Sequence, residues 1–461
     1  MSSIETSALP PTTTVRWASI IQLILSILAA VLLLGAALIV VFVNILQLVT
    51  PGTGKSDPTQ SFMVAASLAF TGILVLPSAW YSLKSISQPE SVPVQGSERR
   101  GFGLVLTIVV FVFVPGALLL GNWVSQHNTL SWFLLPPLNI IVTGLPALWL
   151  VYLGTHGLPL GSPKRRWGVF ASGLVLGPLI IIILELLVLV GMGIIAFLWA
   201  MVDPSLSSQM GNLIIRLRNS SSNPEVILRI LLPFILNPGI LFIIFSFIAI
   251  IVPMIEELLK PLGVWFLGGQ KLTPAHGFVY GVISGVGFAI FENLGNTSDG
   301  GQAWALLASS RISTLLLHCF TAGLVGWALV SAWSQRRYLR LGLSYILAVI
   351  VHGLWNGMVV LSAASSLQGV ANIPIPANLQ RIGPISSTGI IILGALVLVL
   401  YVGFNAVLRR NMPGNEIPPQ VVDIQPSHTE LSSTPPFEPN EGPLNSEIGT
   451  QDQTKGGNPT N

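Results

Sequence analysis

Ten separate apolar runs, each long enough to cross a bilayer, constrain this chain more than any motif within it. A spanning helix needs about 20 consecutive apolar residues. On that ruler, spans are expected near 18–46, 62–83, 102–122, 131–153, 168–201, 240–267, 276–296, 311–333, 341–363 and 386–408. Only 8% of the 461 residues are charged, against about a quarter in soluble domains. In a bilayer a backbone satisfies its own hydrogen bonds either as helix or as closed barrel, and runs of this length are helical. The expected fold class is therefore all-α, a polytopic transmembrane helix bundle of about ten spans.

Charge placement gives an orientation. Alternate connections hold Lys84, Arg99 and Arg100; Lys164, Arg165 and Arg166; Lys271; Arg336, Arg337 and Arg340; and Arg409 and Arg410. Basic residues collect on the cytoplasmic side, so both termini are expected to be cytoplasmic. The long connection with Arg216, Arg218 and Arg229 breaks the pattern, but long loops report orientation poorly. The formal net charge of +3 is spread as punctuation between apolar runs. It forms no stripe for nucleic acid, and the bilayer is the expected partner. One cysteine, Cys319, excludes an intramolecular disulfide. The first apolar run is long enough to span and stay, unlike a cleaved signal peptide.

This divides the chain into a short cytoplasmic N-terminus (1–17), N-terminal membrane helices of about five spans (18–201), an extracytoplasmic loop with room for an interfacial helix (202–238), a membrane core of about five spans (239–410) and a disordered acidic cytoplasmic tail (411–461). The tail is rich in Pro, Asn, Ser, Thr and Glu, with seven acidic residues and one lysine, a composition that cannot bury a core. The count is least secure over 226–268, where "NPG" at 237–239 and Pro253 interrupt forty apolar residues. Two spans there would reverse part of the bundle.

Against this background the polar groups inside the spans stand out. A charge at a helix centre costs about 2.5–3.5 kcal/mol on insertion scales, so such groups face a bundle interior or a wet cavity. In "EELLK", Glu256, Glu257 and Lys260 share a helix turn, with Lys260 angularly between the two carboxylates. Pro253 and Pro261 have no N–H, which frees the carbonyls of Ala249 and Glu257. In "GVGFAIFENLGN", Phe288 and Glu292 lie four apart with Asn293 adjoining, and Gly281, Gly285 and Gly287 permit close helix approach. In the span from 311, Arg311, Thr314, His318 and Thr321 form one polar stripe. In "HGLWNG", His352 and Asn356 share a face. Taken singly, each has a plain alternative: a snorkelling ion pair, a hydrogen-bonded neutral acid, a packed histidine. Cys319 points about 100° away from His318 and reads as packing. Glu185 is alone in its span. His127 and His156 lie in loops, His276 at a helix start and His428 in the tail.

The ordered set of four is more specific than any member. Glu256, Glu257 and Lys260, then Phe288, Glu292 and Asn293, then His318, then His352 with Asn356, resemble the PrsW-like family of membrane-embedded proteases. A more distant similarity is to CAAX-processing and related membrane proteases, whose pattern has Arg where this chain has Lys260 and His where it has Glu292. The resemblance covers roughly residues 250–360. It implies an intramembrane protease of a prokaryotic plasma membrane, acting on a membrane-anchored protein such as an anti-sigma factor. The oligomeric state is open.

Hydrolysis needs an activated water, an electrophile for the carbonyl oxygen and an acid for the leaving amine. Two schemes fit the residues. In the first, Zn²⁺ or another divalent metal is held by His318, His352 and either Glu257 or Glu292, the remaining glutamate being the base. In the second there is no metal: Glu257 or Glu256 takes the proton from water, and His352 and Asn356 donate to the oxyanion. Lys260, Phe288, Asn293 and Arg311 are supporting residues in either. No "HExxH" is present. An ion- or proton-coupled transporter is the alternative from another class, because intramembrane Glu, Lys and His also form proton relays; a non-catalytic scaffold with a protease-like core is a third. The four motifs become level in depth if the helix carrying Glu256 starts near 246, with 226–245 partly interfacial or a separate tilted piece.

Overall fold

Every apolar run folds as a helix. The computed structural model describes residues 13–50, 57–87, 101–218, 220, 224–235, 237–371 and 377–412. The chain divides into two units, Met1–Asn411 and Met412–Asn461. The acidic tail, His428, Arg99 and Arg100 lie outside the described residues.

The helices are α1 (Thr13–Val49), α2 (Thr59–Ser87), α3 (Phe102–Val124), α4 (Asn128–Thr155), α5 (Pro163–Ala171), α6 (Gly177–Val202), α7 (Pro204–Arg218), α8 (Pro224–Ile235), α9 (Pro238–Ser246), α10 (Val252–Leu259), α11 (Leu262–Trp265), α12 (Pro274–Asn296), α13 (Trp304–Gln335), α14 (Tyr338–Ala371) and α15 (Ala377–Arg410). A π-helical turn, Ser172–Leu176, joins α5 to α6, and another, Phe247–Ile251, joins α9 to α10. Ten stretches among the described residues are long and apolar enough to cross a membrane. They coincide with the ten expected runs.

One expectation is corrected. The helix that carries Glu256 begins at Pro238, capped by Asn237 whose side chain accepts from the Gly239 N–H, and not near 246. Only α8 is a separate piece. The span Pro238–Trp265 has 28 residues, more than the ~20 a bilayer needs.

The spans differ sharply in what surrounds them. α12 and α13 are buried along most of their length, whereas α1, α3, α6 and α15 turn rows of Leu, Ile, Val and Phe outward. Outward apolar rows suit lipid. Two central helices buried by protein need close packing instead, since lipid tails are as apolar as leucine and give little hydrophobic drive between helices. Small residues supply it. A Cβ on Gly281 would strike the Ala322 carbonyl, and one on Gly277 the Gly326 carbonyl. On the opposite face of α12, Gly287 meets the Phe170 carbonyl and Gly173 meets that of Ser284. Gly281→Val is therefore expected to separate α12 from α13 and to lower stability by ~1–3 kcal/mol, read as a drop in thermal unfolding temperature of the purified protein in detergent.

The N-terminal spans dock on this centre. Trp304 at the start of α13 is buried among Met63, Val114, Leu135 and Leu138, and its indole N–H donates to Asn139 Oδ1 at 3.2 Å. Tyr401 and Asn405 of α15 donate to the carbonyls of Leu150 and Gly154 in α4, at 2.7 and 2.8 Å.

Candidate active site

The acidic pair sits on a helix that is interrupted on both sides. Upstream, Pro253 cannot donate to the preceding turn, and that turn widens to π geometry. The widening leaves the Ile248 carbonyl to Asn356, whose Nδ2 donates to it at 3.2 Å. Gly353 passes against the Ala249 carbonyl, where a Cβ would collide. The π turn and "HGLWNG" are thus fitted to one another. Downstream, Pro261 ends α10 and the helix restarts at Leu262. The carbonyls left open there are taken by side chains: Ser284 Oγ donates to Lys260 O at 2.5 Å and Trp265 Nε1 to Leu258 O at 3.0 Å. The last turn of α10 is pinned to α12 in this way, and with it the direction of Lys260.

Lys260 is fully buried, and its ammonium is the hub of the site. Nζ lies 2.8 Å from Glu256 Oε2, 2.8 Å from Glu257 Oε1, 2.7 Å from His318 Nδ1 and 3.3 Å from His352 Nδ1. It also stands 4.9 Å from the centre of the Phe288 ring, whose face attracts a cation. Phe288 meets the His318 ring edge-on, with centroids 5.2 Å apart, and the two histidine rings are 5.3 Å apart.

Each histidine is backed by its own carboxylate. His318 Nε2 is 2.7 Å from Glu292 Oε2, and His352 Nδ1 is 2.8 Å from Glu257 Oε1. Carboxylates accept, so these ring nitrogens carry the protons, which fixes both tautomers. The His318 Nδ1 lone pair then faces Lys260, and His352 Nε2 faces Glu256, 3.8 Å from Oε2. Behind Glu292 stands Arg311, with Nη2 2.6 Å from Oε1. Asn293 locks that arginine, accepting from its Nε at 2.9 Å and donating to its carbonyl at 3.0 Å. One chain of ion pairs and hydrogen bonds therefore runs Arg311–Glu292–His318–Lys260–Glu257–His352. Its outer end is the more open one, since the Glu292 side chain is 28% exposed while Glu257 is fully buried. Charge burial on this scale is tolerated only when the groups pair closely.

Among the described residues, Glu256, His318 and His352 form a group that could hold a metal ion. Their ligand atoms all lie within 4.8 Å of one another, and all three residues are buried. Glu257 and Glu292, expected among the ligands, stand behind the histidines. Asn356 adjoins His352 but bonds to the π turn. The Thr314 and Thr321 hydroxyls bond back to carbonyls of their own helix, so that stripe reduces to Arg311 and His318. Cys319 is buried and free. His276 closes a capping box with Thr273 at the start of α12, and His127 bonds to the Trp123 carbonyl. Ser284, Trp265 and the π turn escaped the sequence reading. A serine among glycines reads as packing, and a π turn leaves no periodic signal over five residues.

Residues 167–378 match the model of the PrsW family intramembrane metalloprotease. The match covers a little under half of the chain. The match holds all four motifs and starts upstream of them, taking in the α5–α6 span whose Phe170 and Gly173 pack on α12. No curated protein and no solved structure matches the chain. Similarity to that family, together with ten helices among the described residues that are long and apolar enough to cross a membrane, points to a multi-pass membrane protein and supports intramembrane proteolysis.

Proposed function

We propose that this PrsW-family domain hydrolyses a peptide bond of a membrane-anchored protein within or near the bilayer, using water activated by buried glutamate and histidine. The observation that carries the reading is the convergence of four motifs from α10, α12, α13 and α14 on one ammonium-centred cluster.

Glu256, His318 and His352 would hold the metal that the family description implies. Two histidines and a carboxylate, with one position left open, suit a catalytic Zn²⁺-type ion. Bound there, such an ion would polarise a carbonyl and lower the pKa of water. The chain's own groups do the rest. Glu292 orients His318 by taking its Nε2–H and Glu257 orients His352 by taking its Nδ1–H, in each case the ring nitrogen that is not offered to the ion, as carboxylates commonly do for ligating histidines. Glu292 is the more exposed of the two and lies where water can reach it. It takes the proton from the attacking water and returns it to the leaving amine, while Arg311 and Asn293 hold it in place. Phe288 walls the cluster and helps keep bulk water out.

Cleavage of a membrane-anchored peptide by the purified protein in lipid nanodiscs tests this reading. His352→Ala is expected to abolish cleavage while the variant elutes and unfolds like the parent, and a chelator is expected to abolish cleavage by the parent reversibly. A His352→Ala protein that still cleaves would remove this cluster as the hydrolytic site, and a parent that cleaves no membrane-anchored peptide would remove the hydrolase reading.

A further inference from the structure

We propose that Lys260 is a built-in competitor for the metal position, so that ion and ammonium are alternative occupants of one pocket. This rests on the metal reading of the cluster above.

The conflict lies in a single lone pair. With His318 Nε2–H directed at Glu292, the ring has only Nδ1 left to give, and Nδ1 accepts from Lys260 Nζ at 2.7 Å. The same atom cannot accept that hydrogen bond and bind an ion. Nζ also forms an ion pair with Glu256 Oε2 at 2.8 Å. Nζ thus contacts two of the three residues that would hold the metal and lies 3.3 Å from Nδ1 of the third. Like charge adds to the conflict, because an ammonium and a dication sharing this low-dielectric volume repel strongly.

The structure also contains a place for the displaced lysine. Glu257 is fully buried, and its Oε2 has no hydrogen-bond partner, while Oε1 already contacts Nζ at 2.8 Å. A rotation about the end of the Lys260 side chain transfers the ammonium from the Glu256–His318 side onto the Glu257 carboxylate. The charge stays paired, His318 Nδ1 is released, and Glu257 keeps its contact with His352. Phe288 lines the path, with its ring 4.9 Å from Nζ. The spacing that puts Lys260 four residues after Glu256 and three after Glu257 gives it reach to both acids on the same helix.

If lysine fills the pocket for most of the time, apparent metal affinity is reduced by the small fraction of molecules in which the pocket is open. Full-length protein, stripped with chelator and kept in detergent or nanodiscs, is titrated with Co²⁺ and followed by visible absorption and metal content. Lys260→Met is expected to bind Co²⁺ about tenfold more tightly than the parent, or better. The rate of Co²⁺ binding to the parent is expected to level off at high Co²⁺, at the rate of lysine departure. Equal or weaker affinity in Lys260→Met overturns the proposal. Should that variant not fold, a parent binding rate that rises linearly with Co²⁺ overturns it. Absence of Co²⁺ binding by both proteins removes the metal reading together with the proposal. Cleavage that survives such an outcome leaves the hydrolase reading standing.

Discussion

Glu292→Gln is expected to lower cleavage of a membrane-anchored substrate by ~10²–10⁴-fold, the usual contribution of a general base, with metal content near that of the parent. The glutamine oxygen can still accept from His318 Nε2, so the ring keeps its tautomer. What is lost is the capacity to take a proton from water. The substitution therefore separates a base from a ligand: loss of a ligand would empty the metal pocket as well. Arg311→Gln keeps the carboxylate but removes the cation 2.6 Å from it, and is expected to cost ~10-fold, as outer partners of such sites do. Both effects should fall on kcat more than on KM. A Glu292→Gln protein with parental kcat would take the base assignment away from this residue.

The second large effect is on stability. Removing the Lys260 ammonium by Lys260→Ala leaves Glu256 and Glu257 adjacent, buried and without their shared cation. Breaking one partner out of a buried charge cluster typically costs ~3–5 kcal/mol, against a total stability of roughly 5–15 kcal/mol. Metal-free Lys260→Ala is thus expected to unfold at a much lower temperature than the metal-free parent, measured in the same detergent. Adding a divalent cation should recover most of the loss, because it replaces the missing positive charge between the same donors. A loss below about 1 kcal/mol would mean that the two carboxylates do not depend on Lys260 for their charge balance.

These two residues illustrate different kinds of legibility. Glu292 was visible as a lone acid in a span of Gly, Ala, Val, Ile and Phe, because an ionisable group at that place is costly and so conspicuous. Lys260 was visible as a partner for either acid of "EELLK", because positions three and four apart share a helix face. Neither reading could say that Lys260 would also touch His318 and His352, from helices 58 and 92 residues further on. Nor could spacing assign carboxylates to histidines. Glu257 and Glu292 were expected as ligands. In the structure it is Glu256 whose carboxylate groups with the two histidines, while Glu257 and Glu292 each accept from a ring N–H.

The amino-acid sequence by itself determined that this chain is a bundle of ten apolar helices, and which polar groups lie on a common face within each. Both follow from local rules: helix is the conformation in which a long apolar run satisfies its own backbone in lipid, and 3.6 residues per turn sets which side chains align. Only the tertiary structure decided how those faces meet. The rotation and depth of one helix against another depend on distant glycines, such as Gly281 against Ala322, and on Pro253 and Pro261, which interrupt the Pro238–Trp265 span and leave its carbonyls to Asn356, Ser284 and Trp265. A span of 28 residues starting at Pro238 can sit at several depths. The pairing of Glu257 with His352 and of Glu292 with His318 comes from close packing between helices, which no periodicity within one helix encodes.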